Sequence, residues 1–384
     1  MDSRTRRVAP LARLALRGAV ALALCVPAFA QAAPAAGSAP ADDTPSVKVG
    51  GTLFADFTYQ TAPQGSNSEG TYKPSSFNLT RAYINVTGNL SHRISFRFTP
   101  DIKQETKADA DVKGSYVFRT KYAYGQFSLE DWFPKGSWVR LGVQPTPYPG
   151  YMDDIYRYRF QGSAFTDREK LLGTADTGVS AQFSFPGSYG DVHFGLFNGE
   201  TYTGAETSDQ KAYQIRAAFR PVPASPALKG LRFAAFADLD HYIRDAVKRR
   251  LVGAVTFEHA RVNAGIEYLE AKDQDPDRKF PVSLVQSTVV DSKGWSAWVT
   301  PKLGKGFELL LRHDDYEPDE TRDATKTRSI AGVAYWPRLQ KGVTAAVLLD
   351  YEGTTYDKYA SVVSDPTKLP KDEKKWALHV QLNF

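Results

Sequence analysis

The sequence predicts an all-β fold, a transmembrane antiparallel β-barrel of about sixteen strands with a long third loop folded into the pore. Three observations carry this. From Val47 to the last residue, apolar and polar side chains alternate in segments of about 8–12 residues, the period of a strand with two unlike faces. The connectors alternate between short turns and mostly long polar loops, which is how a barrel sorts its two ends. Mean hydropathy is −0.40. Past the N-terminus no apolar run approaches the roughly 18 residues of a spanning helix, so a helical membrane bundle is excluded.

Residues 1–30 read as a secretory signal peptide. Arg4, Arg6, Arg7, Arg13 and Arg17 form its basic region, Ala19 to Val26 its apolar stretch, and Ala28-Phe29-Ala30 a small-x-small cleavage site. A membrane anchor would need a longer apolar run than one ending at Pro27. A lipoprotein signal would need a small residue where Leu24 precedes Cys25. Cleavage removes the single Cys, leaving a thiol-free chain suited to an oxidising compartment. It also removes five Arg and Asp2, so the mature chain keeps 43 basic against 42 acidic residues. The basicity therefore belongs to the export signal, and no nucleic-acid partner is expected. Residues 31–46 form a flexible Ala/Pro-rich lead-in, and residues 47–384 the barrel.

Sixteen alternating segments follow, centred near residues 54, 83, 97, 122, 141, 181, 194, 216, 236, 254, 265, 297, 311, 332, 347 and 380. In the first, Val47, Val49, Leu53, Ala55, Phe57 and Tyr59 oppose Lys48, Thr52, Asp56, Thr58 and Gln60. In the last, Trp376, Leu378, Val380, Leu382 and Phe384 oppose Ala377, His379, Gln381 and Asn383. Short turns are expected at Gly88-Asn89, Pro134–Gly136, Pro186-Gly187, Pro221–Gly230, His259-Ala260, Gly304–Gly306 and Pro337–Gly342. Long loops are expected at 61–75, 103–115, 145–174, 200–211, 272–288, 315–327 and 353–373, with a shorter one at 241–248. The mature length gives about 22 residues per strand and connector, as a sixteen-stranded barrel requires. A soluble β-sandwich also alternates, but it does not sort its loops by parity. Tyr59, Trp132, Phe133, Trp138, Trp295, Trp336 and Trp376 lie near strand ends, where interfacial girdles form. The terminal Phe384 looks like a barrel-assembly signal.

Several stretches resemble the phosphate-selective porin O and P family of Gram-negative outer membranes, in order along almost all of the mature chain. They are Leu79–Ile84 leading to Gly88, Val139–Gln144 followed by Pro147, Phe197–Glu200, Leu311–Asp314 and Gly332–Tyr335. The resemblance implies a trimeric sixteen-stranded channel of the cell outer membrane whose third loop narrows the pore. It also implies a basic eyelet and a basic wall ladder, though these motifs assign neither residue by residue.

Parity assigns the lumen. An Arg facing lipid at mid-depth costs about 2–4 kcal/mol, so charged strand residues point inward. The inward bases are then Lys48, Arg81, Arg97, Arg140, Arg216, Arg220, Arg232, Arg250 and Arg312. The inward acids are Asp56, Asp101, Asp238, Glu258, Glu267, Glu308, Asp314 and Asp350. Arg81, Arg97 and Arg140 fall on strands two, three and five, whereas four acids fall on the last six strands. That separation would set a transverse field across the pore. The expected pore-lining set is Arg81, Arg97, Arg140, Arg216, Arg220, Arg232 and Asp101. The 145–174 loop, rich in Tyr, suits a segment folded inside the barrel, and its Asp153, Asp154, Arg157, Arg159, Arg168 and Lys170 would shape a constriction.

No catalytic motif or Cys cluster is present. His313-Asp314-Asp315 and Asp153-Asp154 read as rim charge rather than metal ligands. The sequence therefore points to a non-enzymatic porin without cofactor. Its expected partners are small hydrophilic solutes, anions above all, and outer-membrane lipid, and the resemblance adds a homotrimer. The alternative is a non-conducting structural barrel, or a barrel-borne lipid hydrolase, which would need Ser and His together on the lipid face. His193 and His379 read as lumen-facing, and His313 as lacking the right neighbours.

Overall fold

The computed structural model of the protein describes residues 43–105, 110–206, 208–274, 289–363 and 365–384. The expected signal peptide and most of the lead-in lie outside them. Sixteen antiparallel strands close into one barrel. They are β1 (Ser46–Ala62), β2 (Ser75–Asn89), β3 (Ile94–Gln104), β4 (Tyr116–Ser128), β5 (Trp138–Pro145), β6 (Ala175–Ser184), β7 (Gly190–Phe197) and β8 (Ala212–Phe219). Then come β9 (Leu231–His241), β10 (Val247–Glu258), β11 (Val262–Asp273), β12 (Val290–Gly304), β13 (Phe307–Glu317), β14 (Thr325–Tyr335), β15 (Thr344–Asp357) and β16 (Glu373–Asn383). Every segment centre expected from the alternation falls inside one strand. One turn differs: Gly88-Asn89 ends β2, and the chain reverses over residues 90–93.

Each strand pairs with its sequence neighbours, and β1 closes on β16 with Leu53 opposite Leu382 and Phe57 opposite Leu378. Beyond the last paired strand residue, Phe384 N donates to Gly51 O at 3.1 Å and Gly51 N to Phe384 O at 2.9 Å. The terminal aromatic thus completes the seam that removes the sheet's free edges.

Period-2 alternation fixes the two faces. Val49, Phe77, Phe118, Leu141, Tyr213 and Leu349 are exposed on the outside of the barrel. Paired aromatics cluster there, as with Phe307–Tyr335 at 4.9 Å and Tyr351–Trp376 at 5.1 Å between ring centres. Two expected girdle residues sit elsewhere. Trp138 is buried, shares the parity of Arg140, and lies edge-on to His193 at 4.9 Å. Trp336 turns inward and donates its indole N–H to Tyr158 Oη at 3.2 Å. Both are lumen residues because a tryptophan at a strand end can cap either face; position alone does not choose.

The long third connector, residues 146–174, contains α1 (Pro149–Tyr156) and α2 (Phe165–Arg168). Pro149 opens α1 where no intrahelical amide is needed, and Arg157 closes it in the left-handed region, φ 67°. Two apolar clusters place this connector against the inner wall. In one, Tyr148, Met152, Phe165, Leu171 and Leu172 meet Phe236, Val252, Leu269 and Tyr316 from β9 to β13. In the other, Ile155, Tyr156, Tyr158 and Phe160 meet Phe54, Trp298, Leu310, Ile330 and Leu348. A lumen of this size holds water, so these wall residues are apolar because the loop covers them. Trp298 lies over Gly265, where any Cβ would meet its ring at 2.7 Å.

Candidate pore

The loop is tied to β8–β15 by polar contacts as well as by packing. Glu267 accepts from Tyr148 Oη at 3.0 Å and from the Phe165 amide at 3.2 Å. Glu308 accepts from Tyr158 Oη at 2.9 Å. Glu352 accepts from Arg168 at 2.6 Å and Gln161 at 2.9 Å. In the other direction, Arg216 donates to Pro147 O, Arg250 to Leu171 O and Arg312 to Ser163 O, at 2.9–3.0 Å. Lys326 and Arg328 both reach Glu169 at 2.7 Å. Burial raises the Tyr148 phenol well above its ordinary value, and the Glu267 carboxylate beside it adds to the rise. The phenol therefore stays a donor.

The lumen face of β1–β5 is different. It carries Lys48, Arg81, Arg97, Arg119, Lys121 and Arg140, with Asp56 and Asp101 as its acids. Rings alternate with the bases. Arg97 lies 4.4 Å from the Tyr122 ring centre, Arg119 5.0 Å from Tyr202, and Arg140 3.7 Å from Trp138 and 4.8 Å from Tyr124. A guanidinium stacked on a ring keeps its in-plane donors available while one broad face is covered. Asp101 is fully buried and joins Arg81 at 3.3 Å and Arg119 at 2.6 Å. By contrast Arg97 bonds the neutral Thr99 and Asn85, and Arg140 the neutral Gln126.

From the loop, Asp154 and Arg159 approach this wall. Asp154 is exposed on α1 and feels the charges of Arg97 on one side and Glu258 on the other. Arg159, paired with Asp153 and 3.7 Å from Asp167, lies within electrostatic reach of Tyr83, Lys121 and Tyr122.

The expected site residues therefore separate. Arg81, Arg97 and Arg140 stand together on the uncovered wall. Arg216 shares the inward face, but it is 3% exposed beneath Tyr151, paired with Asp191. Arg220 and Arg232 lie across the lumen beside Asp154, Asp191 and Glu258, with Arg232 paired to Glu258. In the loop, buried Asp153 bonds the Ala164 amide at 2.8 Å, and Arg157 stacks on Trp336 while reaching Glu308 at 3.5 Å. Arg168 is tied to the wall through Glu352, and Lys170 is exposed.

Arg119, Lys121, Arg328 and Glu352 are among the lumen residues that escaped the parity reading. The register slips between Thr99 and Pro100, so that Tyr122 faces Thr99 while Arg119 faces Asp101. Arg119 and Lys121 therefore turn inward on a strand whose later residues, Tyr124 and Gln126, point inward in the opposite phase. The charges themselves carried that signal. Arg328 and Glu352 obeyed plain alternation and were simply readable. On the outer face, the His313 ring lies tilted against Trp295, with centres 5.3 Å apart, and its Nδ1 lies 2.8 Å from Ser329 Oγ. The expectation that His313 lacks a serine neighbour is thus corrected: antiparallel pairing of β13 with β14 sets the two directly opposite.

No protein-family model matches the chain, and no curated protein matches it in sequence. Solved structures match it in fold. An anion-selective porin from Comamonas acidovorans gives a TM-score of 0.58 at 11% identity, over 89% of this chain and all of that one. OmpF of Salmonella typhi, in complex with daunomycin, gives 0.57 at 10% identity over 88% and 97% of the two chains. The outer-membrane channel DcaP of Acinetobacter baumannii gives 0.56, again at 10% identity, over 88% and 97%. The chain has a porin fold. Within that barrel, the loop-covered arc of β8–β15 and the bare basic arc of β1–β5 are the two unlike walls of the lumen.

Proposed function

We propose that the protein is a passive diffusion channel of the outer membrane for small hydrophilic solutes, with a preference for anions. One observation carries the preference. The loop covers the acid-bearing wall and engages its carboxylates, leaving Arg97 and Arg140 on the uncovered wall with neutral partners. A passing ion therefore meets positive charge that no carboxylate pairs directly. The resemblance to phosphate-selective porins adds phosphate to the candidate anions and a homotrimer to the expected assembly. Export by residues 1–30 and insertion through a girdled barrel complete the reading.

The test is a planar-bilayer recording of the purified protein under a KCl gradient. Stepwise conductance with a zero-current potential of anion-selective sign is the expected result. A protein that inserts and does not conduct would overturn the channel reading. A cation-selective sign would overturn the preference.

The His313–Ser329 pair favours a second reading, ester hydrolysis at the outer face. It is the weaker one, because the amides beside Ser329 lie in the β13–β14–β15 ladder, where an oxyanion would find few donors. Labelling of Ser329 by an ester-mimicking fluorophosphonate would support it.

A further inference from the structure

A cavity of about 280 Å³ lies between α1 and the short-turn ends of β7–β10. The wall recedes there because its inward side chains are small. Ala218 faces Ala234, and Ala234 faces Ala254, so alanines fill one register row. Elsewhere on the same wall Phe236 and Leu269 fill the space under the loop. Tyr151 packs against this cluster from α1, with Arg216 lying 4.3 Å from its ring centre. Together with Ile155 it gives the cavity an apolar side. The rest of the lining is charged, and not all of that charge is paired. Asp191 pairs with Arg216, and Glu258 with Arg232. The side chains of Asp154 on α1 and Arg220 just past β8 have no ion-pair or hydrogen-bond partner among the described residues. They do not pair with each other either. Charges of both signs surround each: Arg97 and Glu258 act on Asp154, and Arg232, Glu258 and Asp191 on Arg220.

We infer that this cavity binds a small amino acid as a zwitterion, with its ammonium on Asp154 and its carboxylate on Arg220. The placement of charge decides the class. A simple anion gains Arg220 and is repelled by Asp154, and a simple cation meets the reverse. A neutral hydroxylated solute makes neither ionic contact. A molecule that carries both charges makes two charge-assisted hydrogen bonds and meets no net repulsion. Its carbon skeleton then lies on Tyr151, Ile155 and Ala218, where burial adds to affinity. The volume falls just below the roughly 300–1,000 Å³ of drug-sized sites, which suits a single amino acid rather than a peptide. The Asp191–Arg216 and Glu258–Arg232 pairs shape the cavity and leave its two free charges to the ligand. A site of this kind needs access from one barrel mouth and not conduction, so it goes beyond the channel reading and does not depend on it.

The experiment is saturation-transfer NMR on the purified protein in detergent micelles, which reads weak binding without any current. L-Leucine and ε-aminocaproate are titrated beside isocaproate and isoamylamine, which are leucine without its ammonium and without its carboxylate. Wild type should bind an amino acid saturably and each single-charge analogue about tenfold more weakly. Asp154→Asn and Arg220→Gln should each weaken the amino acid about tenfold, the loss expected for one charge-assisted contact. On the analogues they should act in opposite directions. Asp154→Asn should tighten isocaproate and Arg220→Gln should tighten isoamylamine, because each removes a repulsion. Lys341→Gln, on an exposed turn, should change none of these values. Heat-modifiable migration on gels would show that each variant has folded, and the analogue comparison in wild type stands if one has not. Binding of leucine alone marks closely spaced charges and of ε-aminocaproate alone widely spaced ones; both support the site. Isocaproate bound as tightly as the amino acid would leave only an anion contact and overturn the site. Saturable binding of neither amino acid, or equal binding in all variants, would do the same. Conductance is recorded separately. A protein that binds but does not conduct keeps the site and loses the channel, and one that conducts but does not bind does the reverse.

Discussion

The two walls of the lumen use similar residues to opposite ends. On β8–β15, Arg216, Arg250 and Arg312 are 3–4% exposed and donate to carbonyls of the loop. On β1–β5, Arg97 and Arg140 lie half-buried on aromatic rings, with neutral side chains as partners. Burying a charge is tolerable only with compensation, so the covered wall needs acids such as Glu267, Glu308 and Glu352 close by. The water-filled side needs none, since solvent supplies it. Inward arginines thus act as clamps where a loop lies over them and as a field where nothing does.

The comparison breaks most severely at Glu352. It meets Arg168 at 2.6 Å, Arg328 at 3.3 Å and Lys375 at 3.6 Å, and it is 4% exposed. Glu352→Ala should destabilise the loop-bound barrel by about 3–5 kcal/mol, the range for stripping one partner from a buried ion pair. The gel midpoint for heat unfolding should fall. Trypsin should also cut after Arg157, Arg159 or Arg168, while the wild type should stay uncut there. An intact loop in this variant would show that apolar packing alone holds it.

Next in size is the selectivity of the bare wall. Replacing Arg97 and Arg140 with Glu changes the local charge by four units within a few ångströms of the expected ion path. Zero-current potentials under a KCl gradient should move clearly towards cations, with conductance of the same order. An unchanged potential would place the ion path elsewhere and remove the meaning given to the difference between the walls.

Much of this was legible in the residues, and the part that was not has a physical cause. Alternation reports a face, so Arg97 and Arg216 read alike as inward. Which of them a loop then covers is a tertiary fact that period 2 does not carry. The apolar lumen residues Phe54, Trp298 and Leu310 look anomalous by parity until Ile155, Tyr156 and Phe160 are placed over them. Bulges hid the rest. Leu79 and Arg81 take successive partners in β1 with Thr80 left over, and Arg119 and Tyr122 both face inward although their numbers differ in parity. Trp138 and Trp336 were misplaced for a simpler reason, as a ring at a strand end fits either an interface or a lumen.

The smallest expected effect sharpens the comparison from the loop side, through Asp154. Its carboxylate is exposed to the lumen, yet the barrel surrounds it at longer range. That enclosure raises its pKa above the ordinary aspartate value of 3.8, with the nearby Arg97 charge acting against the rise and Glu258 adding to it. For an acid with a raised pKa, the negative charge is complete well above that pKa. It is lost as pH falls through it, earlier than for an aspartate in water. Asp154 is the acid facing the bare basic wall from α1, so its protonation removes the counter-charge nearest Arg97. Anion preference should therefore grow on acidification, beginning above the pH at which ordinary aspartates titrate. Asp154→Asn should show the stronger preference already at neutral pH and lose that part of the pH dependence, with conductance little changed. The measurement is the zero-current potential from neutral to mildly acidic pH, wild type beside variant. Parallel curves for the two would mean that Asp154 lies off the ion path, and that the loop meets the basic wall chiefly through Arg159.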